Sequence, residues 1–175
     1  MKNISIKDLK HRGEISYFVL FPNETTPKNS INSSHVSDVG ALYFSKILDD
    51  DNSVLKLITA TRRGLPFKSL ERALHIMSFT LQEWAKFLHI STRSIDRLKK
   101  EKKKLNPSQS EKLIDITLLY DYGVDVFGSS EKFSKWLCRP SIALGGVEPK
   151  SLLDTNQGIL AIKSELSKIE YGVLA

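Results

Sequence analysis

Residues 91–100, STRSIDRLKK, set Ser91, Thr92, Arg93, Ser94 and Arg97 along the start of a short helical pattern. An arginine can meet guanine O6 and N7 with two parallel N–H donors, and hydroxyls suit base edges or phosphates. A serine-capped helix start also leaves backbone N–H groups free to receive a phosphate. Lys99 and Lys100, followed by Lys102, Lys103 and Lys104, neutralise backbone charge without reading sequence. These residue types at this spacing offer recognition of a nucleic-acid duplex.

Bond-making chemistry has far less to work with. Four histidines, His11, His35, His75 and His89, are scattered through the chain, and Cys138 is the single cysteine. Arg139 beside Cys138 could lower the thiol pKa, but no histidine stands at a spacing that implies a partner. Gly-rich phosphate loops, HExxH and GxSxG are absent from the sequence. The run Asp49, Asp50, Asp51 reads as a polar turn, since a calcium loop needs further ligands and a closing Glu at fixed spacing. The expectation is no enzyme, no metal site and no cofactor.

The elements that must position Arg93 and Arg97 follow from apolar periodicity. From Lys68, the positions Leu70, Ala73, Leu74 and Met77 recur at helical spacing and stop near Ser78. Thr80 with Glu83 three residues on forms a capping box. The helix it opens buries Leu81, Trp84, Ala85 and Leu88. His89 and Ile90 make the turn, and Ser91 caps a second helix whose Ile95 and Leu98 face inward. The spacing of Ala85, Ile90 and Ile95 matches a helix-turn-helix, whose second helix enters the major groove. Such motifs imply a dimer on half-sites one helical turn apart. Asn106-Pro107 breaks the chain, Ser108 and Glu111 offer another capping box, and a long helix runs to about Val126. A hinge is expected around residues 127–128.

Charge supports that centre. Residues 68–112 hold 11 basic and 5 acidic groups, against 9 and 7 in residues 1–67 and 6 and 8 in residues 113–175. A positive field confined to one segment favours a polyanion partner, although a lysine run can also be only a solvated face. No apolar run approaches the ~20 residues of a membrane helix, and the start lacks a secretory core. A cytoplasmic protein without membrane association is expected. Residues 15–21, ISYFVLF, predict a short strand ending at Pro22. The Pro/Asn/Ser/Thr-rich stretch after it predicts a loop, and residues 39–48 suit either a helix or a strand. Residues 1–67 read as an N-terminal arm suited to self-association.

Beyond Ser129 the pattern becomes three short helices with tight Gly/Pro turns. Ser129 or Ser130 caps a helix ending near Cys138, residues 140–146 form a loop, and Glu148-Pro149 opens a short helix through Leu153. Gly158 sits just inside the last helix, along which Ile159, Ile162, Leu166 and Ile169 recur. Trp136, Leu137, Leu152 and Leu153 are core candidates, because a small module needs its large apolar groups inside. The tail YGVLA lacks an evident core partner and could fill a cleft elsewhere.

The series Phe127-Gly128, Trp136-Leu137, Ala143-Leu144-Gly145-Gly146, Pro149, Leu152-Leu153, Thr155, Gly158 and Ile169 to Gly172 resembles the C-terminal domain of Xre/MbcA/ParS-type antitoxins. The preceding LNPSQSEKL resembles the segment that joins their helix-turn-helix to that domain, so the likeness covers about residues 68–175. It implies an all-α chain with a helix-turn-helix domain at 68–126 and a toxin-binding domain at 127–175. It further implies a type II antitoxin that packs over the active-site entrance of a cognate RES-domain toxin, an enzyme that degrades NAD, and represses the shared operon. Contact or scaffold positions implied are Trp136, Leu144, Gly145, Gly146, Pro149, Gly158, Tyr171 and the chain end Gly172, Val173, Leu174 and Ala175. The family pattern often has Asn where this chain has Ser141. The alternative is a free-standing helix-turn-helix repressor whose C-terminal module dimerises or takes another partner.

Overall fold

The computed structural model describes residues 51–172 and, ahead of them, Ile15, Val19 and Leu20. The described chain is helical, in the order α1 (Asp51–Arg63), α2 (Phe67–Ile76), α3 (Leu81–Phe87), α4 (Thr92–Lys100), α5 (Pro107–Phe127), α6 (Ser130–Leu137) and α7 (Asn156–Glu170). Two single 3₁₀ turns, Ile142–Leu144 and Pro149–Leu152, lie between α6 and α7. Among the described residues, strand-like pairing is limited to isolated bridges, Pro66 with Lys104 and Ser141 with Val147.

The chain wraps around α5. Leu113, Ile114, Ile116, Leu118, Leu119, Tyr120 and Tyr122 are all buried and lie on every side of this helix. A helix apolar all round needs cover all round, and α1, α6 and α7 pack against it. Its buried polar groups find partners locally: Thr117 Oγ1 donates to the Leu113 carbonyl at 2.6 Å, and Ser110 Oγ to that of Asn106 at 2.8 Å. Gly123 gives up its side chain to an aromatic ring, since a Cβ there would stand 2.2 Å from Phe133 Cζ.

Edge-to-face rings carry one core through both ends of the molecule. Phe79 meets Trp84 at 5.9 Å, Phe87 at 5.4 Å and Tyr120 at 6.0 Å between centroids. Tyr120 meets Phe133 at 5.4 Å, and Phe133 stacks on Trp136 at 5.9 Å. Pairs in this range add to simple area burial by about 1 kcal/mol each.

Several expected caps are in place. Thr80 N–H donates to Glu83 Oε2 at 2.7 Å and Glu83 N–H to Thr80 Oγ1 at 3.2 Å, closing the capping box. Ser91 caps α4 and Ser129 caps α6. Two expectations are corrected. The box opening α5 is Asn106 with Gln109, not Ser108 with Glu111. Pro107 occupies the first helical position, where its missing N–H is no loss and its fixed φ suits the helix. Ile15, Val19 and Leu20, expected in a strand, are helical and buried in the common core. Their i, i+4, i+5 spacing puts them on one helical face, and packing on that face overrides β-propensity. Residues 22–50 and the tail residues Val173, Leu174 and Ala175 lie outside the described residues.

Candidate functional site

Two surfaces stand out, one on α4 and one on the loop after α6. At the first, Ala85 and Ile95 are buried and Ile90 half-buried, so α3 and α4 meet through the small and branched residues their spacing foretold. The turn between them closes by Ile90 N–H to the Ala85 carbonyl at 3.0 Å and His89 N–H to that of Lys86 at 3.1 Å. This is a Schellman turn, and it places His89 in the left-handed region at φ 53.

Arg93 and Arg97 project from α4 into solvent, and Thr92 and Ser94 are half-buried beside them. The serines of the start are committed: Ser91 Oγ accepts from Ser94 N–H at 3.1 Å and lies 2.9 Å from Ser94 Oγ. Lys99 reaches back to Glu71 at 3.5 Å, which ties α4 to α2, whereas Lys100 is exposed. The exposed guanidiniums and the capped helix start therefore share one face, the arrangement that major-groove reading requires.

At the second surface, the 141–147 loop is shut by backbone bonds alone. Ser141 N–H donates to the Val147 carbonyl at 3.0 Å, and Gly146 N–H returns to the Ser141 carbonyl at 2.8 Å. Gly145 and Gly146 hold φ 79 and 77, which L side chains seldom adopt. Leu144 tucks against the core, and this turns Ile142 outward at 96% exposure, with Val147 at 40% beside it. Ile142 escaped the sequence reading, because apolar type alone does not say which member of a tight loop points away. Trp136 is half-buried in the ring stack, and Pro149 is buried. Gly158 is also buried, where a Cβ would stand 2.0 Å from the Leu152 carbonyl oxygen. Gly158 thus lets α7 pack closely on the Pro149–Leu152 turn that follows the loop. Tyr171 and Gly172 are exposed at the end of α7.

Polar contacts join α3 and its turn to the segment between the 141–147 loop and α7. Lys150 pairs with Glu83 at 2.8 Å and Lys86 with Asp154 at 3.5 Å, while His89 Nε2–H donates to the Asp154 carbonyl at 2.9 Å. Partial burial pushes the Glu83 carboxyl up, but hydrogen bonds from Lys150 and Thr80 outweigh it and leave it below the usual carboxylate range. Glu83 serves two elements at once, closing the start of α3 and anchoring the segment before α7.

Residues 56–116 match the family model described as the antitoxin Xre-like helix-turn-helix domain. Residues 123–172 match the antitoxin Xre/MbcA/ParS C-terminal toxin-binding domain. The chain belongs to the Xre/MbcA/ParS antitoxin family. It is similar to an Antitoxin Xre of Photorhabdus laumondii subsp. laumondii, 29% identical over 113 residues, covering 64% of this chain and 76% of that protein. An Antitoxin Xre of Yersinia enterocolitica is 31% identical over 87 residues, covering 49% of this chain and 59% of the relative. A protein of a Sphingobium species named Prs ADP-ribosylating antitoxin is 25% identical over 127 residues, covering 67% and 80%. In this antitoxin-family chain one matched region ends at residue 116 and the other begins at 123, both inside α5, so this helix carries part of each. Among the described residues, no helix is long and apolar enough to cross a membrane, and no group of three His, Cys, Asp or Glu could hold a metal ion.

Proposed function

We propose that this chain neutralises a cognate RES-domain, NAD-degrading toxin by covering its active-site entrance, and represses its own operon through α4. The observation that carries the first part is the outward Ile142 on a loop whose shape is held by Gly145, Gly146 and the Ser141–Val147 backbone pairing. A bare branched side chain on a stiff loop loses little freedom on docking, so its burial adds directly to affinity. Leu144, Val147 and Trp136 belong to the same module, and the chain end from Tyr171 to Ala175, of which Val173, Leu174 and Ala175 lie outside the described residues, is a second candidate contact.

Operator contact falls to Arg93 and Arg97 for base edges, with Ser91, Thr92 and Ser94 at the helix start and Lys100 on phosphate. Lys99, held by Glu71, steadies α4. A homodimer on two half-sites, or a higher assembly with toxin, follows from the geometry such helices need.

Coexpression with the adjacent reading frame tests this directly. The neighbour alone should arrest growth and deplete NAD, and this chain should restore both and co-purify with it. The name of the Sphingobium relative refers to ADP-ribosylation, a reaction that draws on NAD, so transfer of ADP-ribose to protein is followed in parallel. Ile142→Asp should lose neutralisation while keeping operator binding. A harmless neighbour that does not co-purify would leave a free-standing repressor as the reading.

A further inference from the structure

Beyond the C-terminal end of α4 stands a second group of cations. Arg62 and Arg63 end α1, and Lys102 and Lys104 follow α4; all four are exposed. None of them is ion-paired among the described residues, whereas Lys99 is held by Glu71 and Lys103 by Glu101 at 2.6 Å. Among the described residues these cations therefore divide into paired and unpaired ones.

The unpaired ones are brought together by a stiff backbone junction. Leu105 N–H donates to the Leu65 carbonyl at 2.9 Å, Leu65 N–H donates to Ser110 Oγ at 2.9 Å, and Pro66 bridges to Lys104. Gly64, at φ 76, allows this approach, since a Cβ there would stand 2.2 Å from the Leu105 carbonyl oxygen. The end of α1 is thus pinned beside the segment leaving α4.

A separate observation concerns Lys102. Lys103 N–H donates to the Leu98 carbonyl at 3.0 Å and Lys102 N–H to that of Lys99 at 3.2 Å, so α4 ends in a Schellman turn with Lys102 at φ 49. Glycine is the residue this position prefers. A lysine held there against its backbone preference points to a use for the charge.

We propose that Arg62, Arg63, Lys102 and Lys104 form a shelf that grips the phosphate backbone of duplex DNA flanking the bases read by α4. The inference rests on the DNA-binding reading above and extends its footprint to α1. The shelf adds affinity and salt dependence without sequence preference, because phosphates carry no base information.

The test is a salt titration of binding, using the full chain with the duplex upstream of its reading frame and with a random duplex. Each lost phosphate contact lowers the slope of log K against log salt by about 0.9. Arg62→Gln with Arg63→Gln should lower the slope by about 2 on both duplexes, and Arg62→Lys with Arg63→Lys should restore it. Lys102→Gly should lower the slope by about 1 while raising Tm, a pair of opposite effects that a purely structural residue would not give. Unchanged slopes, with operator preference still lost in Arg93→Ala with Arg97→Ala, would overturn the shelf and leave the operator reading intact. A wild-type chain that binds neither duplex would remove both.

Discussion

Left-handed turns are filled differently in the two halves of the molecule. In the helix-turn-helix half, the turns that follow α3 and α4 are taken by His89 and Lys102, at φ 53 and 49, while Gly64 at φ 76 serves a close approach to Leu105. In the C-terminal half, Gly128, Gly145, Gly146 and Gly172 take the same conformation. An L residue in this region costs about 1–2 kcal/mol. His89 uses its side chain to reach the Asp154 carbonyl, and Lys102 presents an exposed charge. A Cβ at Gly128, Gly145, Gly146 or Gly172 would meet nothing within 4 Å, so these glycines serve the turn itself and leave bare backbone at the surface. The turns after α3 and α4 accept strain to place side chains; those of the C-terminal half avoid strain to expose a shaped loop.

Gly158 marks the limit of that contrast and gives the largest expected effect. It lies in α7, where its N–H donates to Thr155 Oγ1 at 3.0 Å, and its lack of a side chain serves contact with the Leu152 carbonyl. Gly158→Ala should cost about 3 kcal/mol in urea denaturation, because a backbone oxygen 2.0 Å away cannot swing aside. Gly145→Ala, which meets open space, should cost only about 1 kcal/mol. Equal costs would mean that packing and turn glycines are not distinct here.

A second contrast lies in the acids that face the C-terminal half. Glu83 is held below its ordinary pKa, so its contribution is present above about pH 4.5 and is lost as pH falls through the folded value. Asp115, on α5, is pushed up to about 6 by burial and by Glu111, against the pull of Lys112 and of Lys163 on α7. Its sign is opposite: the fold favours the protonated acid, so stability is full below the unfolded pKa and declines as pH rises through about 6. Asp115→Asn should raise stability by about 2 kcal/mol at pH 7.5 and change little at pH 4, read from Tm at both. A variant whose gain is the same at both pH values would show that Asp115 titrates as an ordinary exposed acid.

Residue types carried much of the local order. Thr80, Ser91 and Ser129 announced their helices, and the Ala85, Ile90 and Ile95 spacing announced how α3 meets α4. What stayed hidden depended on partners distant in sequence. Pro107 looked like a breaker and proved to be a first helical residue, because Asn106 and Gln109 satisfy the end around it. Ile15, Val19 and Leu20 spell a β-prone run whose helical face only the common core selects. Ile142 faces outward because Leu144 of the same loop is the residue that packs on the core, and Glu83 meets Lys150 across 67 positions of chain. Spacing is read within one element; closure between elements is not.

The smallest expected effect isolates the strain itself. At His89 two terms oppose each other. The left-handed backbone disfavours any L residue by about 1 kcal/mol relative to glycine. The bond to the Asp154 carbonyl returns a similar amount, since an exposed hydrogen bond nets about 0.5–1.5 kcal/mol. His89→Gly removes both terms and should leave stability within about 0.5 kcal/mol of wild type, whereas His89→Ala keeps the strain, loses the bond and should fall by about 1 kcal/mol. The two variants lose the same contact, so their difference measures the backbone term alone. Indistinguishable denaturation midpoints would mean that the turn relaxes when histidine leaves, and that side-chain placement is not what holds α3 to its left-handed end.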